Sequence, residues 1–286
     1  MPVLGGPCRR RYREVVTLAA GPSEQWDSHL LLLYRDQRDQ VTSVASWVRR
    51  GLERGDKIFY STVPGQDASM PVLTSALEAS GDGVARAMRD GQFVSIPLDE
   101  LFPGAWQPAL TRGALAEGYS GVRFSAQANA ALGSVGEAAY KAIDRLMDEL
   151  CASSPVSVLC QYDSAGSTGT TLRTVLDTHP DAVLNAQMRL RRLGDRVVVV
   201  GEVHFGSAEV LASALHRSLE LDRLSELVLD VAALTFVDGA GCRAVVTGTS
   251  GFRRGGGTVF VRGTAGHVRK VMTLAGMDRL PGIVLV

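Results

Sequence analysis

The stretch Leu227-Val-Leu-Asp-Val-Ala-Ala-Leu-Thr-Phe236-Val-Asp238-Gly239-Ala240-Gly241-Cys-Arg-Ala-Val-Val246 is an apolar run that stops at an acid and three small residues, then resumes with helical spacing. An acid at that break can accept hydrogen bonds from the free amides of the next turn, so Asp238 reads as the cap of a helix. Small residues beside it let a backbone or an anion approach closely. Cys242, Val245, Val246, Thr249 and Phe252 follow three or four apart, which places one face of that helix on a sheet. A strand, a tight turn and a packed helix imply an α/β unit whose chemistry is exposed at one end.

The elements around this stretch extend the pattern. Met188 to Leu193 and Arg196 to Val200 read as strands split by Gly194-Asp195, a dipeptide suited to a hairpin. Helices over 208–220, 239–253 and 267–279 and strands over 226–231, 258–262 and 283–286 complete a mixed-sheet unit over residues 186–286. Upstream, the strand-like runs Leu30 to Tyr34, Ile58 to Val63, Phe93 to Ile96, Val122 to Ser125 and Val156 to Tyr162 alternate with helical patterns. The strongest of those helices runs from Glu137 to Cys151, and another, through Val41, Val44, Ala45, Val48 and Leu52, ends at Gly55. Alternation of this kind predicts a mostly parallel sheet with helices on both faces, over residues 25–185. Residues 1–24, with Arg9, Arg10, Arg11 and Arg13, read as a tail outside either unit.

Bulk composition narrows the function. Lysine plus arginine and aspartate plus glutamate are 30 each, so no net field draws in nucleic acid or an anionic membrane. No segment has the roughly 18 continuous apolar residues of a spanning helix. Cys8, Cys151, Cys160 and Cys242 are scattered and lack histidine neighbours at ligand spacing, so neither a zinc site nor a disulfide framework is expected, and a reducing cytoplasm fits. No Gly-x-x-x-x-Gly-Lys-Ser/Thr loop occurs; the nearest piece, Gly55-Asp56-Lys57, leaves Lys57 as a surface charge. No cofactor is expected.

The segment around Asp238-Gly239-Ala240-Gly241 resembles the sulphate-transporter and anti-sigma-factor-antagonist (STAS) family, whose signature is a strand, Asp-Ser-Ser-Gly or a relative of it, and a helix. The resemblance implies a module that binds an anti-sigma factor or a similar regulatory protein. It nominates Phe236, Asp238, Gly239, Ala240 and Gly241 as partner-binding residues. In regulatory members the first serine is phosphorylated, and the added charge ends partner binding. Glycine at 239 has no oxygen to phosphorylate, so that switch is absent here. His204, in Gly201-Glu202-Val203-His204, stands where the family often has aspartate and joins the partner-binding set as a departure from the pattern.

His29-Leu-Leu-Leu-Leu-Tyr34, Gly51-Leu-Glu-Arg-Gly-Asp56, Leu159-Cys-Gln-Tyr-Asp163 and His179-Pro180, in that order, resemble the DcmR-type sensory domain called MEDS. That resemblance implies a RecA/KaiC-like fold without ATPase function, sensing a small molecule such as a hydrocarbon derivative. It nominates His29, Tyr34, Asp163 and His179 as ligand-binding residues. Asp163 follows an apolar strand, where α/β sheets present functional groups, but it also reads as a cap or loop-ordering residue. Each histidine also reads as a structural hydrogen-bonding group, and both can approach one pocket edge. Cys160 reads as core, and Glu137, Asp144, Asp148 and Glu149 as a solvated helix face. Trp26, Trp47 and Trp106 read as core or pocket-lining residues.

Taken together the residues predict a non-enzymatic signalling regulator whose sensory half listens and whose STAS-like half binds a protein. A hydrolase or transferase using Asp163 and His179 as acid and base is the enzyme alternative. A constitutive scaffold is the third reading. A homodimer through the exposed first strand of either sheet stays open.

Overall fold

The computed structural model describes residues 28–63, 69–79, 81, 83–101, 106–165, 169–179, 182–185, 187–220, 224–264 and 266–286. The expected N-terminal tail and Trp26 lie outside the described residues.

The first half runs β1 (His29–Tyr34), α1 (Gln37–Arg54), β2 (Lys57–Thr62), α2 (Ser69–Ala79), α3 (Val84–Arg89), β3 (Phe93–Pro97), α4 (Leu98–Leu101), α5 (Gln107–Ala116), β4 (Val122–Gln127), α6 (Ala128–Ser153), β5 (Val156–Asp163), α7 (Gly169–Thr178) and β6 (Ala182–Leu184). The second half continues with β7 (Met188–Leu193), β8 (Arg196–Val203), α8 (Phe205–Glu220), β9 (Glu226–Asp230), β10 (Leu234–Val237), α9 (Gly239–Gly248), α10 (Ser250–Arg254), β11 (Thr258–Arg262), α11 (Gly266–Leu274), a 3-10 turn at Met277–Arg279 and β12 (Ile283–Leu285).

All the strands belong to one 12-stranded sheet in the order β12-β11-β9-β8-β7-β6-β1-β5-β4-β2-β3, with β10 paired to β8 beyond the end of β9. Among the described residues only β6–β7 and β7–β8 pair antiparallel. The first half is therefore the mostly parallel sheet expected, and the second is a mixed α/β sheet joined to it through β6 and β7. The expected boundary near residue 185 is a turn within this continuous sheet, where Asn185 N donates to Met188 O at 2.8 Å.

β1 is buried along its whole length because His-Leu-Leu-Leu-Leu-Tyr presents apolar groups to both faces. Leu30 and Leu32 meet Val44, Trp47 and Val48 of α1 on one face, while Leu31 and Leu33 share the other with Tyr140 and Met147 of α6. The second cluster continues without a break through Met188 and Leu190 to Leu215 of α8 and Val245 of α9. Asp36 starts α1 by accepting from Asp39 N, and Gly55, at φ 76°, ends it in the left-handed region that glycine favours.

Several expected elements shift for local reasons. The run 227–238 makes two strands, β9 and β10, because the chain leaves the ladder at Val231 and rejoins β8 beyond Gly201. The helix expected over 239–253 breaks at Thr249 into α9 and α10, and that over 267–279 stops at Leu274, followed by Gly276 at φ 75°. α6 starts earlier than expected and carries a break at Gly136, φ 79°, so the predicted Glu137 start marks its second segment. Trp47 is core as expected, but Trp106 is 57% exposed. Lys57 lies against the Tyr119 ring, 5.1 Å away, and pairs with Glu117 rather than standing free at the surface.

Candidate functional site

Two places in the fold gather the functional candidates, at opposite edges of the sheet. At the carboxyl edge, Asp238 caps two helices at once. Its Oδ1 accepts from Gly241 N at 2.8 Å and its Oδ2 from Phe205 N at 3.0 Å, tying the starts of α9 and α8 together. Burial works against the Asp238 charge, but the amides of Gly241, Phe205 and Ala240 outweigh it and hold the carboxyl below its ordinary range. His204 serves the same turn, since its Nδ1 accepts from Gly206 N at 3.0 Å. An imidazole thus does the capping that aspartate would do at that position.

Gly239 is exposed at this tip, and a Cβ built on it would meet nothing closer than Arg243 Nη1 at 3.8 Å. Ala240 is half-buried, and two aromatic rings flank the turn, Phe236 at 43% and Phe205 at 84% exposure. Gly241 departs from expectation. It is buried, and a Cβ there would lie 2.8 Å from Val203 Cγ1 and Val237 Cγ2, so its missing side chain admits the protein's own strands and not a partner.

The same edge carries Tyr34 and Asp163, the last residues of β1 and β5, in register with each other. Tyr34 donates to Gln127 Oε1 at 2.9 Å, and burial raises its hydroxyl pKa further above the ordinary value. Asp163 Oδ1 accepts from Ala165 N at 2.9 Å, while its backbone N–H and C=O are both held by the Asn129 amide. Asp163 therefore orders the loop that follows β5. Arg35, next along from Tyr34, donates to Gly206 O at 2.5 Å and so links the end of β1 to the start of α8.

His29 stands at the other end of β1, five residues from Tyr34 and so about 16 Å away along an extended strand. His179, at the end of α7, packs its ring edge against His29 with centroids 4.4 Å apart. The four residues nominated for one ligand thus divide into two pairs at opposite edges. For the same reason Asp163 and His179 do not meet as an acid and base.

The histidines meet Asp144 and Cys160, which by sequence look like solvated helix surface and apolar core. Asp144 is only 3% exposed, because it shares the inward face of α6 with Tyr140 and Met147, whereas Glu137 and Glu149 point outward as expected. Cys160 projects from β5 to the same point. His29 Nε2 lies 3.5 Å from Cys160 Sγ and 3.5 Å from Asp144 Oδ1, while His179 Nε2 lies 3.6 Å from Asp144 Oδ1. The outer nitrogens are spoken for: His29 Nδ1 bonds Asp148 Oδ1 at 2.7 Å and His179 Nδ1 donates to Val175 O at 2.9 Å.

Burial disfavours the His29 cation, but the Asp148 hydrogen bond and the Asp144 and Asp148 charges outweigh it and raise its pKa. Burial prevails at His179 and lowers its pKa, and at Cys160 burial with the nearby aspartates drives the thiol well above its usual range. Positions 29, 144, 160 and 179 share no spacing, so only the β1–β5 pairing and the fold of α6 over it bring them together.

Beside this cluster, a narrow apolar chamber of about 20 Å³ is lined by Leu101, Phe124, Met147 and Val158 together with Tyr140, Asp144 and Cys160. A larger polar groove of about 320 Å³ lies where Thr42, Ser46 and Arg50 of α1 face Gln187 and Arg189 of the second half.

A family model described as MEDS, the methanogen/methylotroph DcmR sensory domain, matches residues 28–180, and one described as STAS domain matches residues 193–285. Among solved structures, the chain is similar to the flagellar accessory protein FlaH from Methanocaldococcus jannaschii. That likeness has 13% identity over 59% of this chain and 74% of that one, with a TM-score of 0.40. No curated protein matches the chain.

Proposed function

Because the chain belongs to the MEDS family over its first half and carries a STAS domain over its second, we propose that it is a signalling regulator in which a small molecule held by the first half changes capture of a protein by the second. Its partner is an anti-sigma factor or a related regulatory protein, and no phosphorylation at position 239 controls the exchange. The observation that carries this reading is the exposed tip of α9, where Phe205, Phe236 and Gly239 surround a helix start that Asp238 already caps. Rigid aromatic groups around a small residue suit a partner backbone that must come close.

The ligand site is the apolar chamber beneath α6, whose small size restricts it to the simplest compounds and whose lining includes Tyr140, Asp144 and Cys160. Coupling between the halves follows the sheet, with Arg35 holding the start of α8. A ligand shifts partner affinity only if it binds two arrangements of that joint unequally, and such couplings are typically on the order of 1–3 kcal/mol.

Gly239→Asp tests the tip. Placing a carboxylate there mimics the charge of the phosphorylated family state, so the full-length variant, used as bait in a lysate of the source cells, should lose the partner that the parent chain retains while keeping its circular dichroism spectrum. Equal capture by both baits would remove this edge as the contact.

A further inference from the structure

We propose that His29, Asp144, Cys160 and His179 form a binding site for one divalent transition-metal ion of the zinc class in the interior of the MEDS half. The four side chains are all buried, and their candidate ligand atoms lie within 4.8 Å of one another. Tetrahedral zinc, with bonds of about 2.0 Å to nitrogen or oxygen and about 2.3 Å to sulfur, sets its ligand atoms roughly 3.3–3.8 Å apart. The separations of 3.5, 3.5, 3.6 and 4.0 Å among His29 Nε2, Cys160 Sγ, Asp144 Oδ1 and His179 Nε2 are already close to that figure.

The hydrogen bonds around the cluster point the same way. With both Nδ1 atoms held by oxygen acceptors, each histidine turns its Nε2 toward the centre, and the neutral ring offers that atom's lone pair to an ion. A carboxylate faces them, and both His179 Nε2 and Asp144 Oδ2 are buried without a hydrogen-bond partner. Two polar atoms left without a partner at such depth are costly, and an ion bound at the point where the four groups converge would satisfy them. Oxygen acceptors on the outer nitrogens, a carboxylate for one histidine and a backbone carbonyl for the other, are the supports metal-bound imidazoles use.

Charge also balances. Cys160 releases its thiol proton to solvent on binding, and one thiolate with one carboxylate neutralises a divalent ion. Two imidazoles, one thiolate and one carboxylate select zinc or cobalt over magnesium or calcium. Since the chamber opens onto Asp144 and Cys160, the ion would stand at the wall of the space assigned to the small molecule.

Tag-free full-length protein, stripped with chelator and dialysed, should take up one equivalent of zinc by elemental analysis. With cobalt it should show a sulfur-to-metal charge-transfer band together with the visible bands of a tetrahedral ion. Cys160→Ser should abolish the charge-transfer band. Asp148→Asn, at a half-exposed position that disturbs folding little, should weaken zinc binding by about 10- to 100-fold; Cys242→Ser should change neither. Folded protein that takes up neither ion, or a cobalt spectrum that survives Cys160→Ser, overturns the proposal. Metal uptake is measured on the chain alone, so its failure leaves the α9 reading standing, and loss of that reading leaves the metal site standing.

Discussion

Two glycines separated by one residue do opposite work at the α9 start. Gly241 is where the turn packs: its α-carbon faces Val203 and Val237 so closely that a methyl group would come within 2.9 Å of the Val203 carbonyl oxygen. Gly239 faces open space. Neither has a positive φ, so the difference between them is steric and not conformational. Gly241→Ala should therefore lower stability by about 1–3 kcal/mol, the usual result of forcing a methyl into a full site. Gly239→Ala should stay within roughly 0.5 kcal/mol of the parent. Urea unfolding of the two variants measures both. Equal losses would mean that the tip packs differently, and the exposed surface assigned to the partner would then be in doubt.

At the scale of elements, the link from β1 to α1 is the informative one. In nucleotide-binding relatives of such sheets a glycine-rich loop joins a strand to a helix and gives its amides to phosphate. Here Arg35 and Asp36 alone make the join, and the Asp36 carboxylate accepts from Asp39 N at 2.9 Å, occupying the helix start with its own negative charge. A second anion is disfavoured there. Equilibrium dialysis with magnesium and ATP should find no stoichiometric binding; a retained equivalent of nucleotide would refute this. Much of this level was legible in the residues: the continuous apolar β1, the α1 stripe ending at Gly55, and the hairpin at Gly194-Asp195 all follow from local chemistry. Short pieces such as α3, α4, β6 and β10 were not, because three to six residues carry too little periodicity to read. Asp144 departs from its expected solvated face for a related reason. A face of α6 with four carboxylates within thirteen residues looks solvated until the neighbours of each are known, and only the fold shows that this one points at two histidines and a thiol.

At the scale of the whole molecule, the two family matches occupy one sheet rather than two bodies on a tether. β6 pairs with β1 at Leu31↔Val183 and with β7 at Ala182↔Arg191, and the apolar cluster beneath runs across the joint. Arg217 Nε meets Asp177 Oδ1 at 2.7 Å from the second half to the first, and Arg35 reaches the other way to Gly206. A shared core makes it costly to unfold one half while the other stays native, since Met188 and Leu190 would then lose the groups they pack on. The chain should accordingly unfold in one transition. Trp47 is buried against the first half's sheet, so the fluorescence of a variant that keeps it as the sole tryptophan reports on that half, whereas far-ultraviolet circular dichroism reports on both. Urea midpoints from the two probes should coincide. A fluorescence transition displaced from the dichroism transition would mean that the halves melt separately, and a signal at the first half would then lack a rigid route to the α9 tip.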